Sequence, residues 1–313
     1  MNLRRLLRAL PLALSLPALA VACGDDGSSS ATTSSGGASA GGGADVKVVA
    51  STTWTGAYAK LAGATDITVI APTSILHPPD YDPKPSDLLA AADADIVVYA
   101  EFESFAPRLT EAAGGDATIF PLTLENTTAN IELEVMRLAV ELGTEDVARA
   151  NLDAFIEDAT ELGADAATHA GAAAPVIVSQ LYMSYWADWA ALSSAGTFGP
   201  QQMTAGELAD LTALSPEIVF DNYHVPGGQA LEAEGTPRIE LINYPGDDLD
   251  LLAVFQHNHD LIVKALDGEV DANTDVSVPE GGAHGNGEHG HGETETTMAA
   301  HGEHGEATTT TGG

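Results

Sequence analysis

The chain has 313 residues, and its 46 Asp and Glu against 11 Lys and Arg give a formal net charge of −35. So acidic a surface repels a phosphate polymer, which excludes nucleic acid as a partner. Cys23 is the only cysteine, so an internal disulfide and a multi-cysteine metal site are excluded too.

In chain order, the first element reads as an export signal: Arg4, Arg5 and Arg8, an apolar run from Ala9 to Val21, then small residues. The run is too short to remain as a membrane span. Ala20-Val21-Ala22-Cys23 resembles a bacterial lipobox, which predicts removal of residues 1–22 and a lipid anchor on Cys23. Ordinary secretory cleavage before a free thiol is the plainer alternative. Residues 23–44, rich in Gly, Ser, Ala and Thr, then form a flexible tether off a membrane surface.

Between Val46 and about Gly268, short β-branched runs alternate with longer segments of helical period, the pattern of βα units on a mostly parallel sheet. The predicted strands of a first lobe (residues 45–143) are Val46–Ala50, Ile67–Ile70, Asp95–Tyr99 and Thr118–Pro121. Those of a second lobe (171–268) are Pro175–Ser179, Ala195–Phe198, Glu217–Phe220 and Arg238–Ile242. From Asn126 to His169 the chain has helical spacing, broken near Gly143-Thr144. Thr144 as N-cap, with Glu145 and Asp146 in the first turn, starts a connector helix reaching His169 (residues 144–170). Two α/β lobes of Rossmann type joined by a rigid helix open less than lobes joined by flexible strands. Residues 269–313, almost all Gly, Glu, Thr and His, cannot bury a core and are expected to be disordered.

In open α/β sheets, ligands bind at loops leaving the carboxyl ends of strands. The polar residues at those places are Thr52, Thr53, His77, Glu101, Glu103, Gln180, Asp221 and His224. His77 lies in a loop stiffened by Pro78, Pro79, Pro83 and Pro85 and followed by a helix capped near Ser86. A stiff loop suits a preorganised ligand, although a solvated loop histidine reads the same way. His224 follows the apolar run Ile218–Phe220, with a turn residue as its alternative role. One histidine per lobe, joined by a carboxylate from Glu101 or Asp221, matches the nitrogen and oxygen preferences of zinc or manganese.

Other groups carry less. Tyr182, Tyr185, Trp186 and Trp189 share one helical stripe and read as packing ahead of an aromatic ligand cage. His257 and His259 stand two apart on a helix and cannot share a face. His169 suits a helix C-terminus. The tail histidines His284, His289, His291, His301 and His304, interleaved with glutamates, form a second, weak zinc-binding region or a merely solvated segment.

Val48-Val49-Ala50-Ser51-Thr52-Thr53, the proline-rich segment Pro78–Pro85 ending in Ser86-Asp87, and Ala94-Asp95-Ile96-Val97-Val98-Tyr99 together resemble the zinc/manganese solute-binding lipoproteins of ABC transporters. The likeness runs from about Val46 to Asp267. It implies a monomeric, non-enzymatic receptor outside the cytoplasmic membrane, holding a divalent metal between its lobes for a permease and its ATPase. The ligand positions depart from the family pattern. Pro79 stands where a histidine is usual, none occurs near Thr123–Asn126, Gln180 occupies a third histidine position, and Asn243 replaces a carboxylate. The resemblance therefore implies a rearranged site of His77 and His224 with Glu101 or Asp221, and Gln180 as a weaker oxygen donor. A receptor for a chelated or organic solute, such as a siderophore or corrinoid, is the second reading. A zinc hydrolase is disfavoured by the lack of a His-Glu-x-x-His motif.

Overall fold

The computed structural model describes residues 46–171 and 173–270. The export signal, Cys23, the tether and the tail histidines lie outside the described residues.

Strands form where the β-branched runs lie. Val48-Val49, Ile96-Val97-Val98, Ile177-Val178 and Ile218-Val219-Phe220 are all buried. Continuous burial, without alternation, is what a parallel sheet covered by helices on both faces requires. The first half of the described chain runs β1 (Lys47–Ala50), α1 (Thr53–Leu61), β2 (Asp66–Val69), α2 (Pro85–Ala92), β3 (Ile96–Ala100), α3 (Ala106–Ala112) and β4 (Thr118–Leu122). Two helices follow, α4 (Thr128–Leu142) and α5 (Glu145–His169). The second half repeats the pattern with β5 (Ile177–Gln180), α6 (Ser184–Trp189), β6 (Ser194–Phe198), α7 (Ala205–Ala213), β7 (Ile218–Asn222), α8 (Gln229–Ala233) and β8 (Arg238–Leu241), closed by α9 (Leu251–Leu266).

The two four-stranded sheets have the orders β2-β1-β3-β4 and β6-β5-β7-β8. Every pairing is parallel. In each sheet the direction of winding reverses at its second and third members in space, β1/β3 and β5/β7, which opens a crevice at their carboxyl ends. All eight predicted strands form, with ends shifted by a residue or two. At two of the shifted ends, Asp95 and Glu217, predicted to start strands, stand just before them with their carboxylates accepting the N–H groups of Lys47 at 2.8 Å and Val176 at 2.9 Å.

Gly143 ends α4 with φ of 68°, the left-handed conformation that glycine adopts without cost. Thr144 takes the N-cap position of α5, but its side chain does not cap the helix. Its hydroxyl donates to the Ala62 carbonyl at the end of α1 instead, so a tertiary contact displaces the expected local one. Helix α2 begins at Pro85, and its cap bond is made by the Asp87 carboxylate accepting from the Lys84 N–H at 2.7 Å, not by Ser86.

Helix α5 buries Ala148, Leu152, Phe155, Ala159, Gly163 and Ala166, a stripe at spacings of three and four. That stripe joins Val48 and Leu138 on one side to Trp186 and Phe255 on the other in a single apolar cluster. Phe155 meets Phe255 of α9 edge to face at 5.1 Å. Outside the core, His259 reaches Asp165 at 2.9 Å and His169 reaches Asp267 at 2.9 Å, bolting α9 to α5. His169 sits on the last residue of α5 as expected, and the Asp267 carboxylate holds its pKa above the ordinary value.

Candidate metal and solute cleft

The loops leaving the carboxyl ends of the strands of both sheets border one cavity of about 710 Å³. Trp54 at the start of α1 and His77, Phe102 and Glu125 line it from the first lobe, and Asn222 at the end of β7 with Tyr182, His224 and Asn243 from the second. Glu101, Gln180 and Asp221 are not among its lining residues.

His77 is held by its loop. Pro79 accepts from the Ser104 N–H at 3.1 Å and the Ser104 hydroxyl at 2.8 Å. Tyr81 stacks edge to face on Phe105 at 5.8 Å and donates to Asp87 at 2.8 Å, while Arg108 reaches Asp82. The His77 Nδ1 lies 2.8 Å from a carboxylate oxygen of Asp80, three residues on. A carboxylate accepts, so Nδ1 carries the proton and the acceptor lone pair of the neutral ring sits on Nε2.

His224 is buried at 8% exposure. Its backbone is set by Asn222, whose side-chain oxygen accepts from the His224 N–H at 2.8 Å and the Val225 N–H at 3.3 Å. Its ring packs edge-on to Tyr244 at 4.7 Å and to Tyr223 at 5.2 Å. Its Nδ1 stands 2.9 Å from the Leu76 carbonyl. A carbonyl can only accept, so here too Nδ1 donates and Nε2 carries the lone pair. Leu76 immediately precedes His77, so this one hydrogen bond spans the cleft and draws the two loops together.

The other residues read from the sequence as ligands are placed differently. Asp221 is fully buried; one carboxylate oxygen accepts from the Asn222 N–H at 2.9 Å and the other from the Gly228 N–H at 2.8 Å, and the Gly227 N–H is shared between the two at 3.1 and 3.2 Å. It is also paired with Arg238 at 3.1 Å. Its carboxylate is engaged in folding the turn after β7 and does not line the cavity. Gln180 is buried and caps the turn after β5, its side-chain oxygen accepting from the Tyr182 N–H at 2.6 Å. Glu101 is exposed to solvent. Glu103, two residues on, is 1% exposed and accepts from the Ala100 N–H at 3.0 Å, and burial pushes its carboxyl up to about 7. Among the described residues, no three His, Cys, Asp or Glu side chains come close enough together to hold a metal ion.

Between the lobes lies a layer of neutral amides. Asn126 accepts from the Trp54 indole at 2.8 Å and donates to the Asn243 carbonyl at 3.2 Å. Asn243 in turn accepts from the Tyr185 hydroxyl at 2.6 Å and the Trp186 indole at 3.3 Å. Both asparagines are buried. They occupy the regions where the resembled family carries a histidine and a carboxylate. The aromatic stripe divides: Trp186 and Trp189 pack on Phe255 at 4.8 and 5.6 Å, as expected of core residues, whereas Tyr182 and Tyr185 face the cleft. Trp54, Phe102 and Tyr244 also line it, and sequence reasoning passed over all three. Their one available signal was position, each lying just past the end of a strand.

No protein-family model matches this chain, and no curated protein sequence matches it. Solved structures do. The solute-binding protein FpvC of Pseudomonas aeruginosa, in complex with Ni2+, superposes with a TM-score of 0.57 at 17% identity, over 72% of this chain and 97% of that one. The laminin-binding protein Lbp of Streptococcus pyogenes gives 0.54 at 18%, over 71% and 99%. The protein ZnuA gives 0.52 at 20%, over 69% and 99%. At such identities the likeness is one of fold, and the fold is the two-lobed α/β architecture of metal solute-binding proteins that the sequence resemblance implied.

Proposed function

We propose that this chain is the extracytoplasmic solute-binding component of an ABC importer, which captures a divalent transition metal in the interlobe cleft and delivers it to a permease driven by an ATPase. Its cargo is zinc ahead of manganese, its place is the outer face of the cytoplasmic membrane through a lipid on Cys23, and it catalyses no reaction. One observation carries the reading: two histidines from opposite lobes line one cleft, and each has its Nδ1–H committed to an oxygen acceptor. That is the arrangement in which metal-ligating histidines are usually held, with ring orientation and tautomer fixed by an outer partner. Nitrogen donors favour zinc over manganese, which prefers oxygen. The fold supports the reading, since structures of the same architecture contain Ni2+, Mn2+ and zinc.

The test is metal analysis and calorimetry on the full mature chain with His284, His289, His291, His301 and His304 all replaced by asparagine. One equivalent of zinc is expected to remain bound, and a further His77→Ala, His224→Ala pair is expected to abolish it. Metal that vanishes with the tail histidines alone would mean that the cleft is not a metal site.

A further inference from the structure

Two imidazoles fill only half of a tetrahedral zinc shell. No third His, Cys, Asp or Glu side chain among the described residues joins them in a cluster, and the nearby amides of Asn126 and Asn243 are engaged with Trp54, Tyr185 and Trp186. The cleft is also far too large for an ion alone. At about 710 Å³ it falls within the range, roughly 300–1,000 Å³, of pockets that enclose small organic molecules.

The walls show what kind of molecule. Phe102 on the first lobe, and Leu181 and Tyr182 on the second, line the cleft with 55%, 46% and 49% of their surface exposed, so large apolar groups from both lobes stand open at it, uncovered by any of the described residues. The charged groups on the lining are the carboxylates of Asp80, Glu125 and Asp188, and neither lysine nor arginine is among the described lining residues. Aromatic faces with carboxylates and no cation select a positively charged ligand that has an apolar body.

We propose that the cleft takes its metal as a cationic complex with a small, flat organic chelator. His77 and His224 supply two nitrogen donors, the chelator supplies the others, and its body lies between Phe102 and Tyr182. This rests on the metal reading above. Binding is a ligand exchange: two waters leave the metal–chelator complex, two imidazole nitrogens take their places, and the 2+ charge and oxidation state are unchanged.

The experiment uses the full mature chain with the five tail histidines replaced by asparagine, and 2,2′-bipyridine as a neutral, bidentate, aromatic probe. Zn2+ alone, the 1:1 zinc–bipyridine complex and bipyridine alone are titrated by calorimetry and by tryptophan fluorescence, to which Trp54 in the cleft contributes. The complex is expected to bind about tenfold more tightly than the bare ion, the scale of one or two aromatic stacking contacts. Phe102→Ala with Tyr182→Ala, both half-exposed, is expected to bring that ratio close to one. If bipyridine strips the metal, so that the complex binds no better than the ion, the chelate inference is overturned and the metal reading stands. If bipyridine alone binds as well as its complex, the metal has no part in recognition and the inference is again overturned. If neither ion nor complex binds, both readings fall.

Discussion

Replacing Asp221 with alanine separates a metal ligand from a structural carboxylate. Asp221 is fully buried, and its oxygens serve the N–H groups of Asn222, Gly227 and Gly228 and the Arg238 guanidinium. Breaking a buried ion pair by removing one partner costs about 3–5 kcal/mol. Arg238 keeps Glu232 at 2.9 Å and Glu240, which pulls the cost toward the low end. The abandoned N–H groups of Gly227 and Gly228, each costing about 1–3 kcal/mol when left without an acceptor, pull it up again. A loss of about 4 kcal/mol follows, and for a folded region of this size that lowers Tm by about 8–16 °C. Differential scanning calorimetry of the metal-free protein measures the shift, and a zinc titration at a temperature where the variant is folded should give an affinity within about twofold of the unsubstituted chain. An unchanged Tm together with a tenfold or greater loss of zinc affinity would refute the assignment and return Asp221 to the ligand set.

Burial of Glu103 makes stability fall as pH rises. Its carboxyl moves from 4.5 to about 7 in the folded state. Below 4.5 it is protonated folded or unfolded; across the window from 4.5 to 7 only the unfolded chain releases its proton, so folding loses about 3 kcal/mol at roughly 1.4 kcal/mol per pH unit. Urea midpoints measured from pH 4.5 to 7.5 should show this decline relative to a Glu103→Gln variant, and parallel curves would disprove it. His257 works in the opposite direction: burial lowers it from 6.5 to about 4, so the stability it contributes is present above 6.5 and lost as pH falls toward 4. His257→Gln should flatten that acid limb. Gly163→Ala tests the packing of α5 on the second lobe. In a helix the change normally stabilises by about 1 kcal/mol, but here the added carbon would stand 2.7 Å from the Trp189 carbonyl oxygen, so a loss of about 1–3 kcal/mol is expected by chemical denaturation.

Much of the architecture is local information. The eight strands are legible because a parallel strand buried on both faces must be apolar throughout, and runs such as Ile96-Val97-Val98 and Ile218-Val219-Phe220 have few other uses. Gly143 marks the break between α4 and α5 because the chain there adopts a positive φ. The alternation of strands with helices then places His77 and His224 at strand ends before any coordinate is known, since the topology of such sheets always puts a crevice there.

Which side chains enter that crevice is a different kind of question. Successive strand residues point to opposite faces, so Asp221 and Asn222 are both at the end of β7, yet Asn222 lines the cleft while Asp221 turns back to Arg238, a partner 17 residues away. The bond from His224 to Leu76 joins residues 148 apart and carries no trace in either neighbourhood. Tyr182 and Tyr185 share the period of Trp186 and Trp189, but the chain tightens to a 3-10 turn at Leu181–Met183, and burial divides the stripe between core and cleft. Periodicity and residue type determined by themselves the sheets, the connector and the loops that bear the site. Which polar side chains face the cleft was decided only by the tertiary structure, because a buried polar group goes to whichever partner satisfies it at least cost, and that partner is named by the fold and not by the neighbouring sequence.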